Sequence, residues 1–279
     1  MTATNPLRIL ITGCSSGIGY YCAKTLHQQG HKVIASCRQQ DDVKRLQDEG
    51  LHCVLMDMDN ETSIEQGFAD ALAIAGGTLD VLFNNAAYGQ PGALEDLPTQ
   101  ALRQQFESNL FGWHHLTRLV IPVMLAQGNG KIVQNSSVLG LVAMKYRGAY
   151  NASKFALEGY TDTLRLELSN TPIKVSLIEP GPIESQFRAN AKAKFEQYID
   201  KGNSRHQTSY QNTLDRLGKD SPSSKFTLGP EAVLKPLQAI MGTAEPKARY
   251  YVTQPTYIFG FLRRILPTRL LDSLLVKSD

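Results

Sequence analysis

Thr12-Gly13-Cys14-Ser15-Ser16-Gly17-Ile18-Gly19 joins a β-type apolar run, Arg8 to Thr12, to a helical segment that continues through Tyr20 to Gln29. Glycines in such a stretch permit a tight turn and let the backbone approach a bound group. The free N–H groups and the positive end of the helix dipole favour an anion there, such as a pyrophosphate. A Gly-rich turn can also be an ordinary βα connection. Its position after a first strand, at the mouth of a helix and at the head of a βαβ series, favours the anion-binding reading.

Working outward, short β-rich runs alternate with helical periodicity as far as about residue 180. The strands are Arg8-Thr12, Lys32-Cys37, His52-Asp57, Leu79-Asn84, Lys131-Ser136 and Lys174-Glu179. This alternation implies right-handed βαβ crossovers and an α/β fold, a doubly wound, Rossmann-type parallel sheet of about seven strands with helices on both faces. A chain of 279 residues, 42% hydrophobic and 20% charged, can bury its core as one domain. The net charge of +3 is small and the basic residues are spread along the chain, which argues against a nucleic-acid partner.

The pattern loosens between Glu184 and Leu228, a polar stretch containing Lys201-Gly202-Asn203-Ser204 and Ser221-Pro222-Ser223-Ser224, with aromatics at Phe187, Phe195, Tyr198 and Tyr210. It reads as a mobile insertion with some helix, within a catalytic domain spanning residues 1–255. A helix from Pro230 to Gly242 and a strand over Arg249-Thr253 would close the sheet. The tail, residues 256–279, interleaves Phe259, Phe261, Leu262, Leu270 and Leu274 with Arg263, Arg264 and Arg269, and Pro267 divides it. It is too short and too charged to span a bilayer, which takes about 20 apolar residues. The expected arrangement is an amphipathic tail packed over the substrate cleft or across a subunit interface. A basic segment lying on a membrane surface is the alternative.

Only Met1 to Pro6 precede the first apolar run, so no secretory signal is expected. Cys14, Cys22, Cys37 and Cys53 lack CxxC spacing and read as reduced structural thiols of a cytoplasmic protein. His114 and His115 are adjacent, point different ways on a helix and make a poor metal pair, so no metal site is expected.

Tyr150 and Lys154 stand at i and i+4 of an expected helix, with Ser137 one element upstream. That spacing puts a phenol and an ammonium on one face. A nearby cation favours the phenolate of a group whose ordinary pKa is about 10, which would let Tyr150 exchange a proton near neutral pH.

With Gly13, Gly17 and Gly19 in a Gly-x3-Gly-x-Gly pattern and Tyr150-x3-Lys154, the sequence resembles the short-chain dehydrogenase/reductase family over about residues 7 to 255. Asp57, Asn84-Asn85-Ala86, Asn109 and Pro180-Gly181-Pro182-Ile183 add to the resemblance. Ala87 stands where a Gly is common, and Ser185 where a Thr is usual. Both departures are tolerable, since Ala is small and Ser keeps a hydroxyl.

The resemblance implies a nicotinamide oxidoreductase. It makes Tyr150 the general acid and Ser137, thirteen positions earlier, a hydrogen-bond donor to the substrate oxygen. Lys154 would bind the nicotinamide ribose and lower the Tyr150 pKa, and Asn109 would support a water relay. Cofactor contacts are implied at Gly13, Ser15, Ser16, Gly17, Ile18, Gly19, Asn84, Ala86, Pro180, Gly181, Ile183 and Ser185, as well as at Tyr150 and Lys154. Asp57 would bond the adenine edge, with a turn-capping role as the alternative.

Cys37 takes the place at the end of the second strand where a carboxylate would bond the ribose 2′-hydroxyl, and Arg38 follows it. A guanidinium there suits a 2′-phosphate, so NADP(H) is favoured, against a weak contrary indication from Asp41 and Asp42. The resemblance extends to the retinol and 17β-hydroxysteroid dehydrogenase-like branch and to bacterial NADP-dependent aldehyde reductases. It implies reduction of an apolar aldehyde or ketone by a homodimer or homotetramer. A hydroxysteroid or retinol dehydrogenase, a 3-oxoacyl reductase, and a non-catalytic NADP(H)-sensing module are the other readings.

Overall fold

The computed structural model of the chain describes residues 6–218 and 224–276. Met1 to Asn5, the Ser221-Pro222-Ser223 run and Lys277 to Asp279 lie outside the described residues. In chain order the first half comprises β1 (Arg8–Ile11), α1 (Gly17–Gln28), β2 (Lys32–Cys37), α2 (Gln40–Asp48), β3 (His52–Leu55), α3 (Glu61–Ala75), β4 (Val81–Asn84) and α4 (Thr99–Phe106). A π-helical turn, Glu107–Phe111, leads into α5 (Gly112–Gln127). β5 (Gly130–Asn135), a 3-10 turn (Val138–Gly140), α6 (Gly148–Glu167) and β6 (Ile173–Pro180) follow. The remainder is α7 (Phe187–Tyr198), α8 (Gln207–Leu217), α9 (Glu231–Met241), β7 (Arg249–Val252), α10 (Gln254–Ile265) and α11 (Thr268–Leu275).

The seven strands form one parallel sheet in the order β3-β2-β1-β4-β5-β6-β7. Alternation along the strands divides the core into two layers. Ile9 and Ile11 of β1, Val33 and Ala35 of β2, and Val81 and Phe83 of β4 meet Leu26 of α1 and Val233 and Leu237 of α9. Leu10, Ile34 and Leu82 face the other way, onto Ile64 of α3, Trp113, Leu116 and Val120 of α5, and Leu157 of α6. Burial on both faces explains why these strands read as unbroken apolar runs.

The strand order reverses between β1 and β4, which opens the crevice at which ligands bind in open α/β sheets. The Gly13–Gly19 turn leaves β1 at that point. Gly13 has φ 69°, and a Cβ on it would lie 2.6 Å from Ala86 Cα in the loop after β4. Gly17 has φ 59°, and a Cβ there would lie 2.8 Å from Ser185 Cβ, beyond β6. Side chains are therefore excluded at the two positions where the turn touches the loops from β4 and β6.

The expected strands are all present, but four end early. β1 stops at Ile11, β3 at Leu55 instead of Asp57, β5 at Asn135 and β7 at Val252. The larger difference is at 184–228, expected as a mobile insertion with some helix, where α7 and α8 make much of the stretch regular. Phe195, Ile199 and Tyr210 form a separate small core there with Ala93. The Tyr210 hydroxyl donates to Asp96 and accepts the Ala93 N–H at 3.0 Å. The tail is two helices, α10 and α11. Their Phe259, Leu271 and Leu275 pack on Val138, Leu139 and Tyr150. No helix among the described residues is long and apolar enough to cross a membrane.

Candidate active site

Ser137, Tyr150 and Lys154 meet at the carboxyl ends of the strands. Ser137 follows β5 and caps the 3-10 turn, its hydroxyl accepting the Leu139 N–H at 3.1 Å. Its hydroxyl also reaches the Tyr150 phenol, one turn into α6. Tyr150 is partly buried, with its ring edge-on to Phe187 of α7 at 5.3 Å between centroids. Lys154, one helical turn further on, is 1% exposed. Its Nζ donates to the Asn135 carbonyl at 2.8 Å, lies 4.5 Å from the Trp113 ring centroid and 5.7 Å from that of Tyr150.

Electrostatically the pair differs from the sequence expectation. Burial pushes the Tyr150 phenol up to about 12, opposed by the Ser137 hydrogen bond and the charge of Arg147. Burial lowers Lys154 to about 7, with Glu158 acting the other way. Lys154 is not among the groups lowering Tyr150. An ammonium sealed under an indole loses its own hydration, and that loss outweighs the attraction of Glu158.

Asn109 sits in the π-helical turn and is fully buried. Its amide brackets the backbone of Tyr88, accepting the Tyr88 N–H at 3.3 Å and donating to the Tyr88 carbonyl at 3.0 Å. It also lies 3.3 Å from the Ser153 hydroxyl. Asn109 thus fixes the loop after β4 beside α6.

Asn84, expected at the cofactor site, directs its side chain onto α5. Its Nδ2 donates to Thr117 of α5 at 3.3 Å, and the residue is fully buried. Asn85 reaches the glycine turn, donating to the Thr12 and Gly13 carbonyls at 3.0 and 3.3 Å. Asn135 donates to the Asn85 side-chain oxygen at 2.8 Å, and the Thr12 hydroxyl accepts the N–H groups of Asn85 and Ala86, each at 2.9 Å. This ladder ties the glycine turn to the strand that carries Ser137. Sequence reading passed over Asn85 and Asn135, although Asn85 lies within the quoted Asn84-Asn85-Ala86 run.

At the glycine turn, Ser16 is the N-cap of α1 without a side-chain cap, and the first turn carries no acidic residue. Those N–H groups and the helix dipole fit an anionic pyrophosphate, with Ser15, Ile18 and Gly19 around it. Arg38 is exposed after β2, while Cys37 is 1% exposed and its sulfur, 3.8 Å from Cys53, faces the core. Asp57 accepts the Asp59 N–H at 3.1 Å in a local turn, the capping alternative. Ile183 pairs with Leu228, and Ser185 accepts the Phe187 N–H at 3.3 Å, so the loop after Pro180 and Gly181 is held beside Gly17. His114 and His115 bond different partners, Tyr160 and Glu65, and no cluster of metal-binding side chains occurs among the described residues.

Behind Ser136 lies a charged cluster that the sequence did not disclose. Ser136 donates to Glu158, and Arg249 of β7 joins Glu158, Glu179 at 2.7 Å and Asp162 at 2.6 Å. Burial and the neighbouring Glu158 push Glu179 up to about 8, against the pull of Arg249.

Comparisons with known proteins agree with this geometry. The family model for short chain dehydrogenases matches residues 8–196. An uncharacterized oxidoreductase, YbbO, of Escherichia coli K12 is 42% identical over 267 residues, covering 96% of this chain and 93% of the relative. Retinol dehydrogenase 8 of Bos taurus is 32% identical over 254 residues, covering 88% and 81%. The crystal structure of a short chain dehydrogenase/reductase from Burkholderia phymatum in complex with NAD superposes with a TM-score of 0.79 at 25% identity, covering 100% of this chain and 99% of that one. With its parallel sheet, glycine turn and Ser137-Tyr150-Lys154 constellation, the chain belongs to the short-chain dehydrogenase family of oxidoreductases, in a retinol dehydrogenase-like branch.

Proposed function

We propose that the protein is an NADP(H)-dependent reductase that converts the carbonyl of an apolar aldehyde or ketone to an alcohol, reversibly. The convergence of the Ser137 hydroxyl and the Tyr150 phenol beside a buried Lys154 carries this reading. The dinucleotide, when bound, supplies the hydride. The remaining work is done by the chain.

Ser137 and Tyr150 aim two donors at the substrate oxygen. Negative charge grows on that oxygen in the transition state, so both bonds strengthen there. Tyr150 transfers its phenolic proton to the oxygen as the alcohol forms. A phenol held at about 12 is protonated at neutral pH, the form that reduction requires. Lys154 binds the nicotinamide ribose and, with Asn109, returns a proton to Tyr150. Val138, Leu139 and Phe187 give the site an apolar wall, which suits an apolar substrate such as the retinol in the name of the Bos taurus relative.

The preference for NADP(H) rests on the end of β2, where the side chain of Cys37 is in the core and the guanidinium of Arg38 is in solvent. No carboxylate stands at position 37 to repel a 2′-phosphate. Four free, buried thiols fit a cytoplasmic protein. Exposed Phe111 and Leu166, beside α5 and on α6, fit a homo-oligomer. The purified protein should oxidise NADPH, with NADH in parallel, against aliphatic and aromatic aldehydes, retinal, ketosteroids and a 3-oxoacyl thioester. Turnover of one class supports the proposal. Dinucleotide binding with no turnover across the panel would favour the sensing role.

A further inference from the structure

α10 and α11 carry apolar side chains on both sides. Inward, Phe259, Leu271 and Leu275 pack beside Tyr150. Outward, Tyr257, Ile258, Phe261 and Ile265 are 60%, 50%, 62% and 56% exposed. Their spacing puts all four on one side of α10, with Tyr257 at its edge packed edge-on against Tyr251 of β7, the residue on which Gly260 is seated. On α11, Leu270 and Leu274 extend the patch. A helix face in contact with water is normally polar, and a contiguous exposed apolar face marks an interaction site.

The charge around the patch indicates what covers it. Arg264 and Arg269 are exposed beside it, and the two helices carry a single carboxylate, Asp272. Arg263 is exposed too but reaches back to the protein, donating to the Leu141 carbonyl with its guanidinium 4.6 Å from the Phe155 ring centroid, and so helps to hold α10 in place. A second copy seated face to face would bring the arginines of both copies together with too few carboxylates to pair them. The surface of an anionic bilayer suits both features, taking apolar side chains into the headgroup boundary and neutralising arginine at the phosphates.

We propose that α10 and α11 form a docking face for an anionic phospholipid bilayer and lie in the plane of its surface. The face is the reverse of the two-helix layer whose underside walls the site, so docking sets the site entrance at the lipid boundary.

The test is co-sedimentation of the full chain with phosphatidylcholine vesicles, with and without phosphatidylglycerol, at low and high salt. The variants are Phe261→Ser/Ile265→Ser and Arg264→Glu/Arg269→Glu, with light scattering for oligomeric state and circular dichroism for folding. The wild type is expected to sediment with the anionic vesicles only and to be released by salt. Each variant should weaken partitioning by about tenfold or more. Wild-type protein left in the supernatant with both vesicle types overturns the proposal, as does unimpaired binding by both variants. Absence of vesicle binding, together with a wild-type dimer that the Phe261→Ser/Ile265→Ser variant dissociates, would make the face an interface between copies. Sedimentation is read without turnover, so its failure and a failure of the carbonyl reductase assignment are separate results.

Discussion

Lys154 gives its hydrogen bond to the Asn135 carbonyl, 2.8 Å away, and Asn135 in turn donates to the Asn85 side chain that braces the Gly13 turn. The buried ammonium is thereby tied to the cofactor side of the site through one residue at the end of β5, and the two predicted halves of the machinery share one hydrogen-bonded chain.

Tyr150→Phe should leave NADPH binding nearly intact and lower kcat by about 10²–10⁴, the usual contribution of a positioned proton donor. Lys154→Met should weaken dinucleotide binding as well as turnover. Fluorescence titration and initial rates distinguish the two, and retained turnover in Tyr150→Phe would remove the proton-donor assignment.

Arg38→Ala should raise KM for NADPH and leave KM for NADH almost unchanged. A charged hydrogen bond contributes about 1.5–3 kcal/mol, so NADPH affinity should fall by roughly 10- to 100-fold. Equal effects on both dinucleotides would mean that Arg38 is not reading a 2′-phosphate.

The two reaction directions should respond oppositely to pH. Reduction needs protonated Tyr150, and alcohol oxidation needs its phenolate. With the phenol held at about 12, kcat for oxidation should climb through the alkaline range while reduction does not gain. An oxidation rate that plateaus near neutral pH would mean that the bound cofactor lowers Tyr150 far more than its protein neighbours do.

Glu179→Gln should change the pH dependence of stability. Glu179 rises from 4.5 to about 8 on folding, so the folded state binds the extra proton between those values. Its stabilising contribution is complete below pH 4.5 and is lost as pH rises through 8. Thermal melts of the wild type should show that decline, and the Gln variant should lack it. Parallel curves would mean that Glu179 does not take up that proton on folding.

The alternation of strands and helices and the Tyr150-Lys154 spacing were legible because both are local periodicities. The direction of the Asn84 side chain, onto Thr117, was not legible because all four residues of β4 are buried, leaving no polar-apolar alternation to tell its two faces apart. The helices within 184–228 did carry a local signal, since Ala189, Ala191 and Ala193 among Lys192, Lys194 and Glu196 favour helix, but the surrounding Gly, Ser and Asn residues obscured it. The Tyr150 pKa and the Arg249 cluster depend on burial and on residues far apart in the chain, which no window of sequence contains.

Asn109 satisfies both backbone groups of Tyr88, as a neighbouring strand would, in a loop that has no strand beside it. It therefore works as a splint as well as a proposed relay member, and deleting it removes two things at once. An Asn109→Ala enzyme with poor turnover would not implicate proton transport. Asn109→Asp keeps the acceptor for the Tyr88 N–H and turns the other contact into repulsion, so loss of thermal stability in step with loss of rate would expose the splint.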